Sequence, residues 1–247
     1  MKVIISPAKK MKVEEDIPSL GKPLFLDKTS QILDSMKSLT YEELKSLWKC
    51  NDSIAQLNYE RIQHMNLYGD LSPAVLAYEG IQYQYMAPGV MENEQLSWLQ
   101  NHLRILSGFY GILKPMDGIV SYRLEMQTKL QVNQSKDLYD YWKDDLYQEL
   151  VKEDHVILNL ASKEYSKCIE KYLTEADTFV TISFMEDVNG KLVQKGTLAK
   201  MARGEMVRYL AENQIDQIEE VKKFTGLGFV YSKAHSNESE YVYIKNL

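Results

Sequence analysis

Arg123 and Glu125 stand two residues apart in Ser121-Tyr122-Arg123-Leu124-Glu125-Met126. The segment alternates as a strand does, so the guanidinium and the carboxylate share one face while Tyr122 and Leu124 take the other. In that position Arg123 could hold an anion that Glu125 orients; the plainer reading is a neighbouring ion pair on a solvated face. A second basic element is Lys195-Gly196-Thr197-Leu198-Ala199-Lys200-Met201-Ala202-Arg203-Gly204. On a helix Lys200 and Arg203 are i,i+3 neighbours opposite Leu198, Ala202 and Met206, and a solvated helix face is the usual meaning of such charges. Gly204 is the unusual residue, because glycine inside a helix costs about 1 kcal/mol relative to alanine, so close approach by another backbone or a ligand is expected there. Lys9 follows directly on an apolar strand pattern, in the kind of loop where open α/β sheets bind ligands. Asn58 and Arg61, i,i+3 on another helix, could join the same cleft.

The stretch Leu103-Arg104-Ile105-Leu106-Ser107-Gly108-Phe109-Tyr110-Gly111-Ile112-Leu113-Lys114-Pro115 offers a different chemistry. Gly108 and Gly111, spaced Gly-x-x-Gly, could bring backbone N–H groups to a phosphate, with Arg104 and Lys114 adding charge. Phe109 and Tyr110 occupy the slots where basic residues would help, so a tight turn with buried aromatics is the stronger local reading.

Other chemistries are excluded by what is missing. The sequence has no Walker A loop, no dinucleotide Gly-x-Gly-x-x-Gly and no Gly-x-Ser-x-Gly elbow. His64, His102, His155 and His235 lack metal-ligand spacing, and Cys50 and Cys168 form neither a Cys-x-x-Cys motif nor a disulfide framework. No metal site and no cofactor is expected. Two cysteines suit a reducing compartment, and neither a secretory signal nor a membrane span is visible, so a cytoplasmic protein with no membrane partner is expected. The net charge of −6 over 247 residues repels polyanions in bulk, so any nucleic-acid contact needs a local basic patch.

The elements that must position these residues follow from periodicity. Lys2 to Ser6 reads as a buried strand, and helices follow over roughly 25–37, 41–48 and after the N-cap candidate Asn51. Ala74 to Tyr78 reads as a strand, and Leu96, Leu99, Leu103 and Leu106 give one helical face over 92–106. Residues 108–126 are turn-rich. A helix over 137–152, a strand over 155–160 and a helix from Ser162 come next. Strands over 178–184 and 191–194 are joined through Asn189-Gly190, a hairpin signal. A helix over 197–213 and strands over 228–232 and 240–244 close the chain. The expected fold is a single α/β domain over residues 1–247, with a mixed sheet flanked by helices.

Taken together, Ile5-Ser6-Pro7-Ala8-Lys9, Asn58 and Arg61, Leu103 through Met126, Leu138-Tyr139-Asp140-Tyr141-Trp142, Leu158 through Tyr165 and Ala202-Arg203-Gly204-Glu205-Met206 resemble the YaaA peroxide-stress family. Phe224, Gly228-Phe229 and Ser236 extend the resemblance toward the end of the chain. Ser121 stands where the family pattern has proline, and Gln127 where it has glycine. The resemblance implies an α/β fold of its own kind with a basic cleft. It also implies a cytosolic role in the hydrogen peroxide response through limiting free intracellular iron, and duplex DNA binding through a helix-hairpin-helix-like element, for which Gly108–Lys114 is the candidate. The resulting expectation is non-sequence-specific DNA binding by Lys9, Arg104, Lys114, Arg123, Lys200, Arg203 and the glycine backbone. The competing expectation is an enzyme acting on a nucleotide-like or phosphorylated small molecule in the same cleft. A surface that recruits other proteins is a third.

Overall fold

In the computed structural model, which describes residues 1–69 and 71–245, the first element forms for a simple reason. Val3, Ile4 and Ile5 are β-branched and wholly buried, so the short strand β1 (Lys2–Ile5) sits mid-sheet with apolar neighbours on both faces. The amino-terminal half continues with β2 (Lys10–Met11), α1 (Leu26–Lys37), α2 (Tyr41–Trp48) and α3 (Asp52–His64). Next come β3 (Ser72–Pro73), α4 (Ala74–Ala77), β4 (Tyr78–Glu79), α5 (Ile81–Met86) and α6 (Asn93–His102). Then follow β5 (Leu103–Ser107), β6 (Gly111–Leu113), β7 (Gly118–Ile119), α7 (Leu138–Trp142), α8 (Asp145–Val151), β8 (Val156–Asn159) and α9 (Lys163–Glu170). The chain closes with β9 (Thr178–Val188), β10 (Lys191–Val193), α10 (Gly196–Glu212), β11 (Phe229–Tyr231) and β12 (Glu240–Lys245).

The sheet runs β11-β12-β9-β8-β1-β5-β6, with β10 folded back on β9. Strands β12, β9, β8, β1 and β5 are parallel, while β11 and β6 close the two sides antiparallel. The mixed α/β sheet expected from sequence is therefore present. β1 is flanked by β5 on one side and β8 on the other, with Val3 opposite both Leu103 and Leu158. Its two neighbours are reached by crossovers in opposite directions, the arrangement that opens a crevice beyond the carboxyl ends of the strands.

Local signals account for several elements. Thr40 and Glu43 form a reciprocal capping box at α2, and the Asn51 side chain accepts from the Ile54 amide at α3. Asn189 and Gly190 both take positive φ, as the tight turn between β9 and β10 requires.

Four expectations fail, the first being the single helix over 137–152, which is instead α7 and α8, parted at Lys143 where φ is 47. The leucine spacing over 92–106 does not mark one helix: α6 stops at His102, and Leu103–Ser107 is a strand buried on both faces. Burial on both faces, Arg104 and Ser107 included, removes the apolar-polar alternation that marks a strand, so its leucines continue the helical spacing by coincidence. Ala74–Ala77 is one helical turn between two two-residue strands, not a strand. Residues 108–114 form the β5–β6 hairpin, not a helix-hairpin-helix. Gly111 adopts φ +77 against Trp142 and Leu146, and a Cβ on Gly108 would lie 2.9 Å from the Leu124 carbonyl oxygen. These glycines serve a turn packed around the wholly buried Phe109 and Tyr110, and the Trp142 indole donates to the Gly108 carbonyl. Their backbone faces the core, so Gly108 and Gly111 are not a phosphate cradle.

Candidate functional site: a basic cleft beyond β1 and β8

The cleft begins where β1 ends. Pro7 stops the strand, and Ser6 to Lys10 form one rim of a cavity of about 390 Å³. The loop is tied to the neighbouring strand's loop: Ser6 Oγ accepts from the Ser162 amide at 2.8 Å and lies 3.2 Å from Ser162 Oγ. Tyr83 from α5 donates its hydroxyl to the Ser6 carbonyl at 2.9 Å. Ser162 precedes the first turn of α9, which brings Glu164 and Tyr165 to the wall. Residues 122–125 run alongside in extended form without joining the sheet, and the alternation read from sequence holds: Tyr122 and Leu124 are buried, Arg123 and Glu125 less so.

The remaining wall is α10, and Gly204 explains its position. A Cβ at Gly204 would lie 2.0 Å from the Gln82 carbonyl oxygen and 2.9 Å from the Met86 amide nitrogen. Only glycine lets α10 approach α5 this closely, and the approach lowers Lys200 and Arg203 onto the cleft. The close contact expected at Gly204 is thus with backbone.

The cleft's charge is basic. Lys9, Lys10, Arg123, Lys200 and Arg203 face Glu79, Glu125 and Glu164, five cations against three carboxylates. Lys9 lies 2.8 Å from Glu125, Arg123 3.6 Å from the same carboxylate, and Lys10 2.8 Å from Glu79. Neither Lys200 nor Arg203 has a carboxylate within 4.0 Å among the described residues. Burial depresses the Arg203 pKa, which means the charge is held in a poorly solvated place. Burial raises the Glu164 pKa, and the nearby Glu125 carboxylate raises it further.

Six buried side-chain polar atoms lack a hydrogen-bond partner among the described residues, and three of them belong to this wall: Gln82 Nε2, Arg123 Nε and Arg203 Nε. All three are donors. Buried donors left unpaired are costly, about 1–3 kcal/mol each, so a group of them on one cavity is an unmet demand for acceptor oxygens.

The structure therefore brings together Lys9, Arg123, Glu125, Lys200 and Arg203. It does not bring the others. Arg104 is buried at the opposite, amino-terminal edge of the sheet, where it donates to the carbonyls of Gln100 and Leu103 and pairs with Glu153. Lys114 lies 3.7 Å from that same Glu153, and Lys2, which opens β1, lies 2.6 Å from it. Asn58 and Arg61 sit on α3 away from the cleft wall; Asn58 is buried and donates to the Ile54 carbonyl. Sequence reasoning missed Gln82, Tyr83, Glu164 and Tyr165. The loop rule applied to β1 applies equally to β8 and would have found the last two.

Cys168 is buried and its thiol is pushed up to about 12 by burial, so it holds almost no thiolate near neutrality. Among the described residues no three of His, Cys, Asp and Glu gather as a metal site would require, and no helix is long and apolar enough to cross a membrane.

A family model described as peroxide stress protein YaaA matches residues 1–235. A UPF0246 protein of Agathobacter rectalis is 56% identical over 248 residues, covering all of both chains. One from Lachnoclostridium phytofermentans is 57% identical, covering 99% of this chain and 96% of the relative, and one from Desulfitobacterium hafniense is 54% identical over 99% and 98%. With a match this long and relatives this similar end to end, the chain belongs to the YaaA family of peroxide stress proteins.

Proposed function

We propose that this protein serves the peroxide-stress response in the cytoplasm by binding DNA phosphates in the β1–β8 cleft, with little sequence preference. The observation that carries the reading is the excess of cations on this wall, with Lys200 and Arg203 lacking any carboxylate within 4.0 Å among the described residues. A phosphodiester supplies several acceptor oxygens and the negative charge the wall lacks. The amino-terminal end of α9 adds its partial positive charge at the same place. Lys9, Arg123, Lys200 and Arg203 make the contacts; Arg104 and Lys114, engaged with Glu153, take no part.

The cavity's size favours a second reading. About 390 Å³ is within the range of small-molecule sites, and Glu164, whose pKa is raised, could act on a proton of a nucleotide-like or phosphorylated substrate.

Fluorescence anisotropy of a labelled duplex across salt concentrations tests the first reading. Each phosphate neutralised contributes about 0.9 to the slope of log affinity against log salt. Lys200→Ala/Arg203→Ala should weaken binding on all sequences and flatten the slope by roughly one to two. An unchanged slope removes α10 from the DNA surface. If the wild type binds no DNA but its melting temperature rises with added mononucleotides, the small-molecule reading replaces it.

A further inference from the structure

α9 leaves the cleft carrying charge with it. Glu164 lines the cleft, and Lys167 and Lys171 lie three and seven residues further on, along the same edge of the helix. They open onto a separate cavity of about 620 Å³ whose wall also holds Lys136, Lys143, Tyr139 and Tyr172. None of these four lysines has a carboxylate within 4.0 Å among the described residues. Asp137, Asp140 and Asp144 share the wall, but Asp137 and Asp140 accept from backbone amides of the α7 turn. The lysines rest on aromatic rings instead: Lys167 Nζ is 3.8 Å from the Tyr139 ring centroid and Lys171 Nζ 5.2 Å from that of Tyr172.

Two details tie this cavity to the cleft and shape its wall. The Tyr139 hydroxyl donates to the Glu164 carbonyl at 2.9 Å, so one residue joins both walls. Lys143 adopts φ 47, ψ −128, a conformation that tight turns normally give to glycine. That turn parts α7 from α8 and sets Lys143 on the cavity wall.

Resting on the DNA reading of the cleft, we infer that the lysine–tyrosine cavity of α7 and α9 is a second nucleic-acid site, which takes the single-stranded continuation of a strand whose phosphate sits in the cleft. Lysines along a groove follow the backbone, and once Lys167 and Lys171 swing from the rings they cover to phosphates, Tyr139 and Tyr172 offer stacking faces to unpaired bases, the combination by which single strands are held without sequence preference. A paired duplex cannot present its base faces to Tyr139 and Tyr172, so the unpaired form is the one this surface fits.

The experiment compares a labelled 12-nucleotide single strand with a labelled 5′-phosphorylated trinucleotide, too short to span both cavities. Lys167→Gln/Lys171→Gln should weaken binding of the long strand about tenfold and flatten its salt slope by about 1.4, two phosphates at roughly 0.7 each. Trinucleotide binding and the melting temperature should stay unchanged. Lys200→Ala/Arg203→Ala should weaken both probes. Equal loss on both probes from the α9 variant, or loss on neither, overturns the second site while leaving the cleft reading intact. A wild type that binds the labelled duplex but neither of these probes overturns the second site alone, and one that binds no duplex either overturns both. Lys167→Arg/Lys171→Arg should retain long-strand binding, and its failure to do so would also count against a phosphate role.

Discussion

Gly204→Ala is the most direct perturbation of the architecture that builds the cleft. The added methyl would sit 2.0 Å from the Gln82 carbonyl oxygen and 2.9 Å from both the Gln82 carbonyl carbon and the Met86 amide nitrogen. All three are backbone atoms, so no side-chain rotation relieves the clash and α10 must move off α5 by more than an ångström. Overpacking of this kind costs roughly 1–3 kcal/mol, and contact with a backbone on both sides puts it at the upper end. Alanine returns up to about 1 kcal/mol of helix propensity. The expected net loss is therefore about 2 kcal/mol, a fall in melting temperature of roughly 4–8 °C for a chain of this size. Because Gln82 and Arg203 both line the cleft, DNA affinity should fall as well. Thermal unfolding followed by circular dichroism measures the first effect and anisotropy the second. Gly196→Ala supplies the control: it lies on the same helix with nothing within 4 Å of a Cβ, and should be neutral or slightly stabilising. If Gly204→Ala behaves like Gly196→Ala, the two helices are not in backbone contact and the derivation of the cleft from that contact is wrong.

Two further expectations follow from charge. Burial raises the Asp117 pKa to about 6 from an ordinary value of 3.8, against the opposing pull of the Lys114 amide and the Lys114 and Arg104 charges. A carboxyl group with a raised folded-state pKa binds more protons folded than unfolded, so stability falls as pH rises from about 4 through about 6. Asp117→Asn, which keeps an acceptor for the Lys114 amide, should remove up to roughly 3 kcal/mol of that decline; chemical denaturation at pH 4, 5, 6 and 7 giving parallel curves for both proteins would refute it. Arg104→Ala removes the buried guanidinium that donates to the Gln100 and Leu103 carbonyls, while Lys2 still pairs with Glu153, and should destabilise the fold by about 1–3 kcal/mol. It should leave the salt slope of DNA binding unaltered, and a flattened slope would restore Arg104 to the DNA surface.

Much of the scaffold was legible because its signals are local. Asn51 marks a helix start through its own hydrogen bond, and Asn189-Gly190 marks a turn through its own backbone. The strand Leu103–Ser107 was not legible, because its identity is set by neighbours on both sides that the segment itself does not encode. The same limit separates the found cleft residues from the missed ones. Arg123, Lys200 and Arg203 announce themselves by charge and spacing. Gln82 and Tyr83 matter only because α10 and β1 pack against them, a contact between segments over a hundred residues apart for Gln82 and Gly204. Arg104 shows the converse: a charge in a glycine-rich motif invites a binding role, yet the fold turns it inward to neutralise Glu153.

The cleft's walls come from the start of the chain and from near its end, Ser6 to Lys10 on one side and Lys200 to Arg203 on the other. During synthesis, at about 5–20 residues per second, the first wall waits roughly ten seconds or more for the second. No nascent chain lacking α10 can hold a ligand in this cleft as the folded molecule does. Once complete, a ligand spanning Lys9 and Arg203 joins distant parts of the chain, and at a hundredfold excess over its dissociation constant it adds about 2.7 kcal/mol to the folded state. Bound molecules would then survive chaperone and protease surveillance longer than free ones, so the amount of protein in a cell would track the amount of its ligand without any change in gene expression.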